Sequence, residues 1–309
     1  MKYSPTLRKY VSLVILIGFV AWGGWYLHRH AAELGRLAGL SVGRVVLLLG
    51  LALLKLAAMG SFTKVVVGSL GIDLGFWEWF GLSAMTSMGN YLSPFRGGAA
   101  IRGVYLKARH GLPYSLFFST LAILYVLSFS TNAVIGLLAL VVLWAAFGVT
   151  DFALTGFLAA CLVLPVLLWI TVRRLPRLPG RWTEQLNRVI EGWQIVAARP
   201  GTLPLLLLLS VLNTGVTLLM IHFSFVAFGT HLPLTESLIA STLFLISAMI
   251  PITPAGLGIA EMMLVLASQT LGVEGMVSVL SAGLNRSAMI VVSLVLGPLF
   301  SYLLSKRGL

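Results

Sequence analysis

The chain has 309 residues and a net charge of +12, with 59% hydrophobic and 10% charged residues and a mean hydropathy of +1.00. A soluble domain carries about 25% charged residues, so there is too little polar surface here to coat a water-soluble globule. The basic excess flanks apolar segments without an aromatic-basic platform, which argues against a nucleic-acid partner and for membrane orientation and anionic headgroups.

Backbone groups in lipid must be paired within their own segment, so each long apolar run predicts a helix. The alternation of an outer-membrane barrel is absent. Residues 1–10 carry Lys2, Arg8 and Lys9 and precede an apolar run over 11–27 that holds Trp22, Trp25 and Tyr26. No small-residue cleavage site follows, so this run reads as an uncleaved first span with a cytoplasmic N-terminus.

A second span is predicted over 44–62, with Lys55 inside it and Lys64 at its edge. Lys55 reads either as facing the bundle or as snorkelling. The segment 76–92 is interrupted by Gly81 and Gly89 and ends at Ser93-Pro94; 99–110 is short and basic. Residues 112–129 and 131–147 predict a helical pair, and 152–172 a further span. The only cysteine, Cys161, lies there, which excludes an intramolecular disulfide or a cysteine zinc site.

The segment 173–199 carries Arg173, Arg174, Arg177, Arg181, Arg188 and Arg199 against Glu184 and Glu191. The positive-inside rule places it in the cytoplasm. Its Trp182, Leu186, Val189, Ile190 and Trp193 recur at helical spacing. They predict an amphipathic helix on the membrane surface, or a short helix packed on other segments. A long span follows over 203–228, then 237–250, which stops at Pro251, and 256–271, which restarts. A last run over 276–304, with an interruption near 283–286, ends before Lys306 and Arg307, which place the C-terminus inside.

The expected fold is an all-α polytopic integral membrane helix bundle, with about eight spans plus two broken or re-entrant helical segments. It forms a single transmembrane domain over 1–309, with repeat halves 1–172 and 200–309 joined by the basic segment 173–199. One ambiguity stays open. If 76–110 crosses once, 173–199 falls inside as required. If it enters and returns, that segment falls outside unless a span is miscounted.

The internal repeat rests on residues 93–100 and 253–260, which both fit S/T-P-x-x-x-G-x-A at an offset of 160 residues. Pro94 and Pro254 remove a backbone donor, and Gly97, Gly98, Gly256 and Gly258 permit non-helical angles. Paired interruptions in corresponding halves point to a transporter's substrate site, with half-helix N-termini at Gly98 and Gly258 suited to an anion such as phosphate. A charge at the bilayer centre costs about 2.5–3.5 kcal/mol, so Arg96, Arg102, Glu261 and Arg286 stand out. Glu261 is expected to pair with one of the arginines and leave a guanidinium for a lipid phosphate. The bland reading has Arg96 and Arg102 snorkelling. Asn90, Asn213 and Asn285 read as interhelical glue or cavity lining.

The nine acids form no close pair, and HExxH, P-loop and GxSxG patterns are absent. No cofactor or metal is expected, and neither an ATP-driven pump nor a hydrolase.

The stretches NYLSPFRGGAAIRGVYL, PITPAGLGIAEMMLVL and GLNRSAMIVVSLVLGPL resemble the lysylphosphatidylglycerol synthase transmembrane family, a family of flippase-like domains. Pro254, Gly256, Gly258, Ile259 and Glu261 fit its second element. Pro94, Arg96, Gly97 and Arg102 fit the first more loosely, with Ala99 and Ala100 where more polar residues are expected. Arg286 fits an arginine that opens the last span. The resemblance implies a lipid flippase or transporter that moves an anionic phospholipid or a polyprenyl-phosphate-linked lipid between leaflets of the cytoplasmic membrane. The full synthases also carry an aminoacyl transferase domain, which this chain is expected to lack, so it reads as a non-enzyme. Two alternatives stay beside this: an accessory protein that presents a lipid to a glycosyltransferase, and a membrane-embedded lipid-modifying enzyme.

Overall fold

A computed structural model describes residues 39–93, 97–148, 152–174, 184–250, 253, 256–270 and 272–306. The predicted span 11–27, the residues Pro94, Arg96, Pro251 and Pro254, and Arg177, Arg181, Trp182 and Arg307 lie outside the described residues. The described residues form ten helices and no strand. These are α1 (Val42–Ser69), α2 (Phe76–Leu92), α3 (Gly97–His110), α4 (Tyr114–Phe147) and α5 (Phe152–Arg174). There follow α6 (Glu184–Ala198), α7 (Thr202–Ala227), α8 (Leu234–Ala248), α9 (Ile259–Thr270) and α10 (Gly275–Lys306).

Five of them, α1, α4, α5, α7 and α10, are long and apolar enough to cross a membrane. Their outer faces present leucine and valine outward, as at Leu164, Leu208 and Val295, which are 67%, 54% and 63% exposed. Apolar surface on that scale needs hydrocarbon around it. The chain is a multi-pass helical membrane bundle.

Two expectations are corrected, and one open alternative is decided. Residues 112–129 and 131–147 are not a pair: α4 runs unbroken for 34 residues. Ser130 and Thr131 do not break a helix, and α4 ends only where Gly148 turns to φ 66° and donates its N–H to the Trp144 carbonyl at 2.9 Å. The interruption near 283–286 is also absent, since α10 is continuous from Gly275 to Lys306. One helical glycine costs about 1 kcal/mol relative to alanine, which the flanking turns outweigh. Of the two readings open for the basic segment, α6 fits the short helix packed on other segments. Its Ile190 is buried, its Trp193 and Val196 are buried in a cluster with Phe62, Val66, Ile123 and Leu206, and Ser119 Oγ donates to the Val189 carbonyl at 2.8 Å.

The segment 76–110 enters and returns. Glu78 near the start of α2 accepts from the Tyr105 hydroxyl at 2.9 Å and meets His110 Nε2, at the end of α3, at 2.6 Å. At the other end, Gly98 lies so close to α2 that a Cβ there would run into the Thr86 carbonyl oxygen and stand 2.7 Å from Asn90 Oδ1. The two helices therefore form an antiparallel hairpin with its tip between Leu92 and Gly97. A second hairpin, α8–α9, packs around the core of Leu243, Phe244, Ala260 and Leu264.

The hairpins enter from opposite ends of the bundle. Arg44, early in α1, donates to the carbonyl of Ala227, the last residue of α7, at 3.2 Å. Arg199, just before α7, donates to the Gly68 carbonyl at the end of α1 at 3.5 Å. So α1 and α7 run antiparallel. The first hairpin follows the C-terminal end of α1 and the second follows the C-terminal end of α7, which brings the two in from opposite sides. Helix α10 lies along α2, where Ser87 and Ser293 share a hydrogen bond of 2.7 Å. Small residues allow these approaches: a Cβ on Gly60 would stand 2.6 Å from the Trp79 ring.

Candidate functional site

The two tips meet at one arginine. Arg286, midway along α10, donates Nε to a Glu261 carboxylate oxygen and Nη1 to the Tyr91 hydroxyl at 3.4 Å. Tyr91 closes the first hairpin's outgoing helix and Glu261 opens the second hairpin's returning helix. Glu261 works in two directions, since its Oε2 also accepts from the Gly258 backbone N–H at 2.7 Å. Gly258 precedes α9, and its carbonyl accepts from Met262 N at 2.8 Å. The side chain thus reaches back to the helix's first orphan donor, as the glutamate of a capping box does. The carboxylate both starts α9 and holds Arg286.

Beside this tie lies a cavity of about 190 Å³, walled by α1, α2, α3, α4, α7, α8 and α10. Lys55, Arg102 and Arg286 line it, each under a tenth exposed. Phe244 lies between two of them, with its ring centroid 5.6 Å from Lys55 Nζ and 5.6 Å from Arg286 Cζ. Arg102 donates from Nη1 to Thr63 Oγ1 at 2.7 Å and lies 5.6 Å from the Phe117 ring centroid. Among the described residues, none of the lining side chains is a carboxylate. Glu261 stands behind Arg286 and compensates it. Lys55 and Arg102 have no carboxylate partner among the described residues. A single charge at membrane depth costs about 2.5–3.5 kcal/mol on insertion scales. Two that line one cavity without a carboxylate partner among the described residues favour the uptake of an anion.

Thr86, Asn90, Asn213 and Asn285 also line the cavity, and Thr86 Oγ1 and the three Oδ1 atoms are buried without a hydrogen-bond partner among the described residues.

Residues 8–297 match the lysylphosphatidylglycerol synthase TM region. The chain belongs to this family. No curated protein matches it. Membership indicates a function related to membrane lipids.

The motif residues of the lysylphosphatidylglycerol synthase TM family divide between the cavity and its supports. Asn90, Arg102 and Arg286 line the cavity, and Glu261 stands one residue behind. Gly97, Gly98, Gly256 and Gly258 do not line this cavity. Gly97 and Gly98 let α3 approach α2, and Gly256 and Gly258 hold φ at 70° and 84°. The N-terminus of α9 is likewise not open to an anion at Gly258, whose N–H is taken by Glu261.

Sequence reasoning underrated Lys55. A lone lysine midway along an apolar helix was the available signal, but the helix itself does not say whether the side chain snorkels or turns inward. Tyr91 and Phe244 were missed. Nothing local separates them from ordinary membrane aromatics, and only the meeting of the hairpins gives them a role.

Proposed function

We propose that the protein is a lipid transporter that moves an anionic lipid between membrane leaflets, with the lipid phosphate held by Lys55, Arg102 and Arg286. The observation that carries this is the pair of buried cations, Lys55 and Arg102, without a carboxylate partner among the described residues, facing one cavity between hairpins that enter from opposite ends. Interrupted helices meeting at mid-bundle from two sides are the arrangement in which transporters place substrate. The headgroup crosses through the cavity while the acyl or prenyl tail stays in hydrocarbon. Glu261 holds Arg286 in place and fixes the second tip. The units α1–hairpin–α4 and α7–hairpin–α10 act as the two halves of an inverted repeat, joined by the basic segment 173–199.

The orientation we propose follows from counting passes. From the basic end of the first hairpin at Lys107 and Arg109, α4 and α5 make two passes to the arginine-rich segment. From there α7 and α10 make two more to Lys306, because the second hairpin returns to its own side. All these basic groups then gather on one face, and the positive-inside rule assigns that face, with both termini, to the cytoplasm. The membrane is the cytoplasmic membrane, and a lipid-synthesising enzyme or glycosyltransferase is the expected partner.

The test is leaflet-resolved transport of anionic lipids in proteoliposomes. Wild type should move them. Arg102→Ala and Lys55→Gln should each slow movement about tenfold or more, the value of one charge-assisted hydrogen bond. If no phospholipid or polyprenyl-phosphate lipid moves with the folded protein, transport is refuted, and the lipid-presenting role replaces it. A chemically altered lipid after incubation would instead reveal an enzyme.

A further inference from the structure

The three cations that line the cavity are not chemically alike. Arg102 and Arg286 carry guanidinium groups, which keep their proton in any protein setting, whereas a lysine ammonium can give its proton up. Lys55 is therefore the lining cation able to exchange a proton with water. It is also the least supported of the three. Arg102 donates to Thr63 Oγ1 at 2.7 Å, and Arg286 donates to Glu261 and to the Tyr91 hydroxyl. Lys55 is 8% exposed, and its Nζ lies 5.6 Å from the Phe244 ring centroid. Among the described residues no carboxylate pairs with it.

The titratable and charged groups around Lys55 set the direction of the exchange. Helix α10 brings Arg286, which shares the Phe244 ring at 5.6 Å. Helix α9 brings Glu261, already committed to Arg286 and to the Gly258 N–H. Helix α3 brings Arg102 and α2 brings Tyr91. Helix α4 brings Tyr125, which acts on Arg102. Among the described residues, α6, α7 and α8 present no titratable group to the cavity. An ammonium on Lys55 thus faces cations and no uncommitted negative charge, and like charges repel strongly where the dielectric is low. A proton there is held more tightly once an anion enters. Linkage makes this reciprocal, so the anion is also held more tightly when the proton is present.

We propose that Lys55 is a proton-coupling site. Its Nζ takes a proton from water as the lipid phosphate enters the cavity and returns it to water as the phosphate leaves, so one proton crosses with each lipid. Arg102 and Arg286 stay charged throughout. This rests on the lipid-transport reading and adds its driving force. A gradient that is acid outside then drives the lipid toward the cytoplasmic leaflet.

The experiment uses the purified protein in proteoliposomes, with a trace of fluorescent phosphatidylglycerol in the membrane and a pH-sensitive dye in the lumen. Protein-free vesicles give the background. With the outside one pH unit more acid, wild type should shift the equilibrium inner-to-outer ratio of the probe about tenfold, the value for one proton per lipid. The lumen should acidify faster when the lipid is supplied. Lys55→Arg keeps a charge that cannot leave and Lys55→Gln removes it, so whichever of them folds should equilibrate the probe without responding to the gradient. A wild-type ratio indifferent to the gradient overturns the coupling and leaves transport standing. A gradient response that survives in either Lys55 variant overturns the assignment to Lys55. No movement of this probe, or of a polyprenyl phosphate run in its place, beyond the background overturns the transport reading and the coupling with it.

Discussion

The two hairpins share a sequence pattern and use it differently. In the first, glycine serves close approach: a Cβ on Gly98 would strike the Thr86 backbone carbonyl, and one on Gly97 would strike Ser93 Oγ. In the second, glycine serves conformation first, with Gly256 and Gly258 both at positive φ, although a Cβ on Gly256 would also stand 3.1 Å from the Ala248 backbone. The first returns as a helix that begins at Gly97 itself, and its outer end is clasped by Glu78, Tyr105 and His110. The second is fixed at its inner end by Glu261. One hairpin is anchored at its base and the other at its tip, beside the cavity, so the same interruption motif has been put to two structural uses.

This contrast can be broken most directly at Glu261. Glu261→Ala leaves Arg286 buried without its counter-charge and Gly258 without its acceptor, and should cost roughly 3–5 kcal/mol, read as a lower unfolding midpoint in detergent. Glu261→Gln keeps an acceptor for Gly258 and should lose less. An unchanged midpoint for the alanine variant would mean the second tip is not held by this carboxylate.

Gly98→Ala should come next, at about 1–3 kcal/mol, because the obstacle is backbone and cannot rotate away. Replacement by asparagine at this position should be at least as harmful. At Gly256 the order reverses. Gly256→Ala should cost roughly 1–2 kcal/mol for its left-handed backbone, whereas Gly256→Asn should cost less, since asparagine visits that region readily. Equal responses to alanine and asparagine at both sites would erase the distinction between packing and conformational glycines. The smallest expected effect is Ser87→Ala, which removes the hydroxyl pair with Ser293 and should cost about 0.6 kcal/mol, the average for such bonds between membrane helices.

The places where sequence reading fell short follow from what is local. The run 112–147 was divided at Ser130-Thr131 because a span was expected near twenty residues, about the minimum for a bilayer. The length of α4 shows that a helix can exceed that minimum where packing supports it. That single correction also removes the topological conflict. With one helix in place of two, a re-entrant first hairpin and the basic segment 173–199 lie on the same face. The tie between Glu261 and an arginine was legible, because two opposite charges in apolar runs must find each other. That the arginine is Arg286, and that Arg102 instead rests on Thr63, was not legible.

The sequence by itself determined that the chain lives in a membrane, that it is helical, and where its two interruptions fall. Those properties depend on composition and on which backbone donors proline and glycine disturb, and each is written within a few turns of helix. Only the tertiary structure decided that the hairpins enter from opposite ends, that Lys55 turns inward, and that two of three buried cations lack a carboxylate partner among the described residues. Compensation of charge depends on neighbours on other helices, as Glu261 is for Arg286, and a helix does not carry that information about its own surroundings.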